Sequence, residues 1–176
     1  MENFWALDSW IHSANGAVHM GMALLALLLG PLLFLIRKGN RFHRIGGYLY
    51  VLAMLTVNIT ALTSYDLSGR PNIFHFFALM SLAGVIPGYF AIRAAMRRPN
   101  RNAVLGHAKA MSYSYMGLFA AGLSQIGTRL APSLFLSPIW LYVFLGSVVF
   151  IGFLITAWMV KATEEGLGRR YSPAAR

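Results

Sequence analysis

Four histidines stand at the borders of apolar stretches: His19, His43, His75 and His107. Imidazole binds haem iron and transition metals through a ring nitrogen, so such residues could hold a cofactor inside a membrane. The chain has no cysteine, which excludes disulfides, thiolate metal sites and covalently attached c-type haem. Zinc or copper would require three or four clustered donors. The sequence supplies only Asp66 near one pair of histidines and Met20, Met22 and Met111 as soft ligands. Two-ligand chemistry, a b-type haem between two imidazoles, fits this inventory better. Hydrolytic triads, phosphate-binding loops and dinucleotide fingerprints are missing from the sequence. A proton-coupled transporter would call for an acid within the membrane, and no apolar stretch carries one.

The elements that would position these rings follow from composition. Of 176 residues 57% are hydrophobic and 11% charged, against about 25% charged in soluble domains. Five segments approach the roughly 20 residues of a bilayer crossing. They are Gly16–Ile36, Ile45–Tyr65, Ile73–Arg93, His107–Gly127 and Pro138–Val160. No strand-like alternation is visible, so each can satisfy its backbone in lipid only as a helix. The expected fold is an all-α membrane protein of five transmembrane helices: a four-helix bundle with a peripheral fifth helix.

Charge sets the expected topology. All but Arg70 and Arg129 of the 15 basic residues fall in the loop 37–44, the stretch 93–109 and the C-terminal tail. The positive-inside rule then places the N-terminus outside and the C-terminus in the cytoplasm. The net charge of +10 thus serves topology and contact with anionic lipid on the cytoplasmic side, and nucleic acid is not an expected partner. No basic residue precedes Arg37, so the first helix lacks the charged start of a signal peptide and is expected to be retained.

The first and third spans resemble one another. "HMGMALLALLLGPLLFLIR" begins at His19 and "HFFALMSLAGVIPGYFAIR" at His75. Both place Pro 12, Phe 15, Ile 17 and Arg 18 residues after the histidine, ending as P-x-x-F-x-I-R. The second and fourth spans each open near a histidine, His43 and His107. This predicts a duplicated helical hairpin, 16–65 and 73–128, whose members run the same way through the bilayer. Residues 1–15, with Trp5 and Trp10, form an outer interfacial segment, 16–128 the bundle, 138–160 the fifth helix and 161–176 a cytoplasmic basic tail.

Alternating spans put His19 and His75 near the outer face and His43 and His107 near the inner face. Each pair is a candidate set of axial ligands for one haem b, giving two haems and an electron path across the bilayer. Eighteen residues make five helical turns, so Arg37 would face as His19 does and Arg93 as His75 does. Those arginines, with Arg129 at the end of the fourth span, could meet haem propionates. Gly47, and Gly30 on the His19 face, would clear space for a flat macrocycle. The plainer reading makes these histidines interfacial anchors and leaves Arg37, Arg44, Arg93 and Lys109 to topology and snorkelling. Gly84 and Gly88, with Ser81, suit close helix packing, and Asn58, Gln125 and the threonines of the second span suit interhelical hydrogen bonds. His12 has no assigned part.

The stretches "GPLLFLIRKGNRFHRIGGYLYVLAM", "GHAKAMSYSY" and "IGTR" resemble a bacterial membrane family known as domain of unknown function 2306. Its members typically show an H-R-x-x-G-R-x-Y block, an H-x-x-W-M block and a late arginine. The resemblance rests on His43, Arg44, Gly46, Tyr48 and Tyr50, on His107 and Met111, and on Arg129. Gly47 and Ala110 stand where members carry Arg and Trp. The resemblance implies a multi-pass protein of the bacterial inner membrane and no particular reaction. The arrangement of histidine pairs is also similar in architecture to cytochrome b-561 proteins. The expected function is therefore a b-type cytochrome-like electron carrier with a redox partner, and quinone is a second candidate cofactor. The alternative is a cofactor-free accessory or assembly subunit of a larger membrane complex.

Overall fold

The structure, a computed structural model, describes residues 13–64, 69, 71, 73–98, 100–130 and 138–170. They form five helices: α1 Ala14–Leu35, α2 Arg41–Thr63, α3 Ile73–Arg97, α4 Arg101–Leu130 and α5 Pro138–Arg170. Among the described residues there is no strand. His12, Asp66, Arg70 and most of the expected interfacial segment, including Trp5 and Trp10, lie outside them.

Helix starts are set by short polar side chains that take up the free amides of a first turn. The Ser13 hydroxyl accepts from Gly16 N at 3.0 Å, and Asn40 Oδ1 accepts from His43 N at 2.7 Å. Asn100 Oδ1 does the same for Asn102 N at 2.9 Å and Ala103 N at 3.4 Å. Between α1 and α2 the chain reverses through Gly39, whose φ of +81° favours a residue without Cβ. That turn is clamped from both sides. Lys38 Nζ donates to the Leu33 and Phe34 carbonyls at the end of α1, and Arg44 Nε donates to Gly39 O at 3.0 Å.

Helices α1 to α4 pack in a ring, each on its chain neighbour, and α1 also meets α4; α5 packs on α4. The ring encloses Ala26, Tyr50, Ala53, Met54, Val57, Val85 and Leu118. Its buried positions are partly polar, with Asn58, Thr60, Ser81, Ser112, Ser114 and Ser124 among them, and its outside is apolar, with Leu28, Leu35, Leu52, Ile59 and Phe90 exposed. That inversion suits lipid as the solvent.

Among the described residues four helical stretches are long and apolar enough to cross a bilayer: Ala14–Leu35, Arg41–Thr63, Phe74–Arg97 and Tyr142–Glu165. The fourth expected span, His107–Gly127, is absent from that group. It lies within the 30-residue α4, which is long enough at about 45 Å but too polar. The physical reason is its position: α4 touches α1, α3 and α5, so Ser112, Ser114 and Ser124 are buried against protein. The end of the chain also differs from expectation, because α5 continues past Val160 to Arg170. This added part is tied to α4 by Lys109 and Glu164, 2.8 Å apart.

Close approaches at small residues hold the ring together. A Cβ on Gly84 would come 2.9 Å from Ala110 O, and one on Gly88 would meet Met111 Cε at 2.7 Å. These glycines therefore set the α3–α4 distance, as their spacing predicts. Gly30 plays the same part between α1 and α4. The Tyr115 ring covers it so closely that any Cβ would overlap the ring carbons. Tyr115 also answers a backbone demand, since Pro31 has no N–H to give to Leu27 O, four residues earlier. Tyr115 Oη donates to that carbonyl at 3.3 Å, while the ring lies edge-on to Phe34 and stacks on Phe119.

Gly30→Val should lower stability by about 1–3 kcal/mol through overpacking, read as a fall in thermal midpoint in detergent. Adding Tyr115→Ala should recover part of that loss. Gly117→Ala, with nothing within 4 Å of a new Cβ, should not destabilise and should gain helix propensity of up to about 1 kcal/mol.

Candidate functional site

The four ring-bearing positions fall at the two ends of the bundle. His19 is in the first two turns of α1 and His75 in the first turn of α3; His43 is in the first turn of α2 and His107 in the second turn of α4. Since chain-adjacent helices reverse direction, His19 and His75 share one end and His43 and His107 the other.

At the first end His19 is held by α2. Its Nδ1 is 3.1 Å from Val57 O and 2.9 Å from Thr60 Oγ1. The Thr60 hydroxyl donates to Thr56 O at 2.7 Å, so both partners of the ring nitrogen act as acceptors. The neutral imidazole therefore carries its proton on Nδ1 and keeps a lone pair on Nε2. Beside it Asn15 Nδ2 donates to Ser64 Oγ at 2.8 Å and Thr60 O at 3.3 Å, and Ser64 Oγ donates to Thr60 O at 2.9 Å. The strip fixes the start of α1 against the end of α2. His75 is buried, 7% exposed, on α3.

At the other end His107 Nδ1 donates to Gly88 O at 2.9 Å. Gly88 is the close-packing residue of α3, so the same missing Cβ that brings α4 near also exposes this carbonyl to the ring. His107 again has its proton on Nδ1 and its lone pair on Nε2. His43 is half-buried; its Nδ1 is sequestered from solvent near the Leu33 carbonyl, without a well-formed hydrogen bond. It lies within electrostatic range of both His107 and the Lys38 ammonium. His43 and His107 thus stand at the same end of the bundle, on α2 and α4. His19, in contrast, takes its hydrogen bonds from α2 rather than from α3.

Between the ends, side chains fill the bundle. Ser114 Oγ donates to Met111 O at 3.0 Å, so Tyr50 Oη is the donor in its 3.0 Å bond to Ser114 Oγ, which joins opposite corners of the ring. Asn58 Nδ2 donates to Ser81 Oγ at 3.1 Å and to Met54 O at 2.7 Å. Asn58 and Thr60 are thus the interhelical bonders that their residue types predict.

The other expected residues divide. Arg93 is an exposed residue of α3. Arg37 lies past the end of α1, because the helix stops at Leu35 and Ile36 turns extended; the five-turn register with His19 is therefore broken. Lys38, which spacing does not single out, is the basic group beside His43. The backbone of Arg129 is in α4, and its side chain is outside the described residues. A Cβ added to Gly47 would meet nothing within 4 Å, so the space beside it is open, whereas Gly30's space is taken by Tyr115. Among the described residues no three histidine or acidic side chains converge.

The family model described as "Predicted membrane protein (DUF2306)" matches residues 16–161, and the chain belongs to that family. No curated protein and no solved structure matches it.

Tyr50→Phe removes a buried donor while Ser114 keeps its bond to Met111 O. The expected cost is about 1 kcal/mol, within the roughly 0.5–1.5 kcal/mol range of a neutral hydrogen bond. A double-mutant cycle with Ser114→Ala in detergent unfolding should return a coupling energy of similar size.

Proposed function

We propose that this protein is a b-type cytochrome-like electron carrier of the bacterial inner membrane, with bis-histidine haem sites near both membrane faces. The observation that supports it most is the fixing of His19 and His107 at opposite ends of the bundle. In each, Nδ1 donates to a backbone carbonyl of the neighbouring helix, leaving Nε2 for a metal. Second-partner bonds of this type orient metal-ligating imidazoles and raise their basicity.

In this reading His19 and His75 are the ligands of the outer haem and His43 and His107 those of the inner one. The haem would supply one-electron chemistry, and the chain tunes it through ligand orientation, burial and nearby cations. Arg93 and Arg129 remain the propionate partners, and at the inner end Lys38 takes the place of Arg37, whose register with His19 is lost. Gly47 leaves the inner ring accessible on the α2 side. Two haems would carry charge between an outer donor, a quinol or a protein, and an inner acceptor. The topology that goes with it has five crossings, with the serines of α4 buried while Phe119, Leu123 and Ile126 stay exposed to lipid, the N-terminus outside and the C-terminus in the cytoplasm. Helices α1–α2 and α3–α4 are then duplicated hairpins, a reading supported by Pro31 and Pro87 lying inside α1 and α3. The two-haem arrangement is an analogy with cytochrome b-561 proteins in architecture.

A second reading, a cofactor-free subunit of a larger membrane complex, is supported by α5. That helix leaves Trp140, Tyr142, Phe150, Phe153 and Trp158 exposed, an aromatic surface suited to a partner helix.

The test is the visible spectrum of protein purified after haem-replete expression, oxidised and then reduced with dithionite. A Soret band with reducible α-bands is expected. His43→Ala and His107→Ala should each remove one of about two haems, and His19→Ala and His75→Ala the other. A spectrum without these bands overturns the reading; reproducible co-purification with larger subunits in that case favours the second.

A further inference from the structure

The corner where α3 gives way to α4 holds a cavity of about 470 Å³, lined by Ala94, Arg97, Arg98, Asn100 and Ala103. Two features make it unlike the rest of the basic surface. Its lining sets two arginines beside two alanines, whose small side chains leave a half-open, largely apolar hollow next to the charges. The charge is also unanswered. Among the described residues the one ion pair is Lys109–Glu164, on other turns, and neither the last turn of α3 nor the first of α4 supplies an acid. Asn100 uses its side-chain oxygen to accept from Asn102 N and Ala103 N. Its amide nitrogen is left as a neutral donor at the rim.

The geometry points to a binding site for the phosphodiester headgroup of an anionic membrane lipid, held by Arg97 and Arg98 with Asn100 beside them. A guanidinium matches two phosphate oxygens at once. Basic pockets between the ends of membrane helices are suited to such headgroups. A lipid rather than a free anion is indicated by the surface next to the cavity. On the same helix Phe90 is 64% exposed and Met96 50% exposed, so acyl chains have apolar surface to lie on while the phosphate enters the cavity. This site needs no haem, and its outcome is separate from that of the electron-carrier reading.

The test uses the full chain in a neutral detergent, titrated with short-chain phosphatidylglycerol, short-chain phosphatidylcholine and inorganic phosphate, with bound lipid counted by native mass spectrometry. Saturable binding of phosphatidylglycerol is expected. Arg97→Gln with Arg98→Gln should weaken it roughly ten- to thirtyfold, for two basic contacts at a headgroup. Ala103→Trp, which fills the cavity and keeps both charges, should weaken it as well. Arg41→Gln with Lys161→Gln removes the same charge elsewhere and should leave it within about twofold. An equal loss in that control pair would show a diffuse basic surface and overturn the site. Full binding in Ala103→Trp would overturn the cavity, and inorganic phosphate binding as tightly as the lipid would overturn the lipid as its occupant.

Discussion

An apolar solvent offers no hydrogen bonds, so every polar group within a membrane helix must find its partner inside the protein. Much of this bundle follows from that demand. Pro31 leaves the Leu27 carbonyl without its helical donor, and Tyr115 reaches across from α4 to supply one. Reaching it requires the ring to lie flat on α1, which only Gly30 permits. One imino acid thus determines a glycine, a tyrosine and the seam between α1 and α4. The bonds from Asn58 to Ser81 and from Tyr50 to Ser114 do the same between other pairs of helices.

His19 and His107 obey the same rule. A ring that must satisfy Nδ1 against a neighbouring carbonyl is held in one tautomer and one orientation. The carbonyls available are those of Val57 and Gly88, the latter exposed because α3 lacks a side chain there. The packing of α3 on α4 and the orientation of the His107 ring are therefore set by one feature. A larger residue at position 88 would separate α3 from α4 and withdraw the acceptor from His107 together.

Polarity also explains why α4 departs from its expected place among the spans. Its serines look like a loss of membrane character when they are read along the chain. In the fold they are buried, where hydroxyls bond to the helix's own carbonyls, as Ser124 does to Ala120 at 2.7 Å and Ser114 to Met111 at 3.0 Å. A helix enclosed by protein can carry more polar groups than one bathed in lipid. The outer helix α5 shows the converse, with its polar residues few and its aromatic residues exposed.

The sequence by itself determined the helical class, most helix positions and the placing of four histidines near helix starts. Those properties come from composition, from local capping by Ser13, Asn40 and Asn100, and from spacing, all of which act over a few residues. It also marked Gly84 and Gly88 as packing sites, since small residues four apart on a helix line one face. Tertiary structure alone decided the rest. That Tyr115 serves Leu27, that Tyr50 meets Ser114 across the ring, and that Lys38 rather than Arg37 stands beside His43 depend on residues brought together from different helices. Arg37 shows the reason most plainly. Its five-turn register with His19 holds only if the helix persists, and the turn imposed by α2 packing back on α1 ends that helix at Leu35. Periodicity reports the face of a helix, but only packing decides where the helix stops and what the face meets.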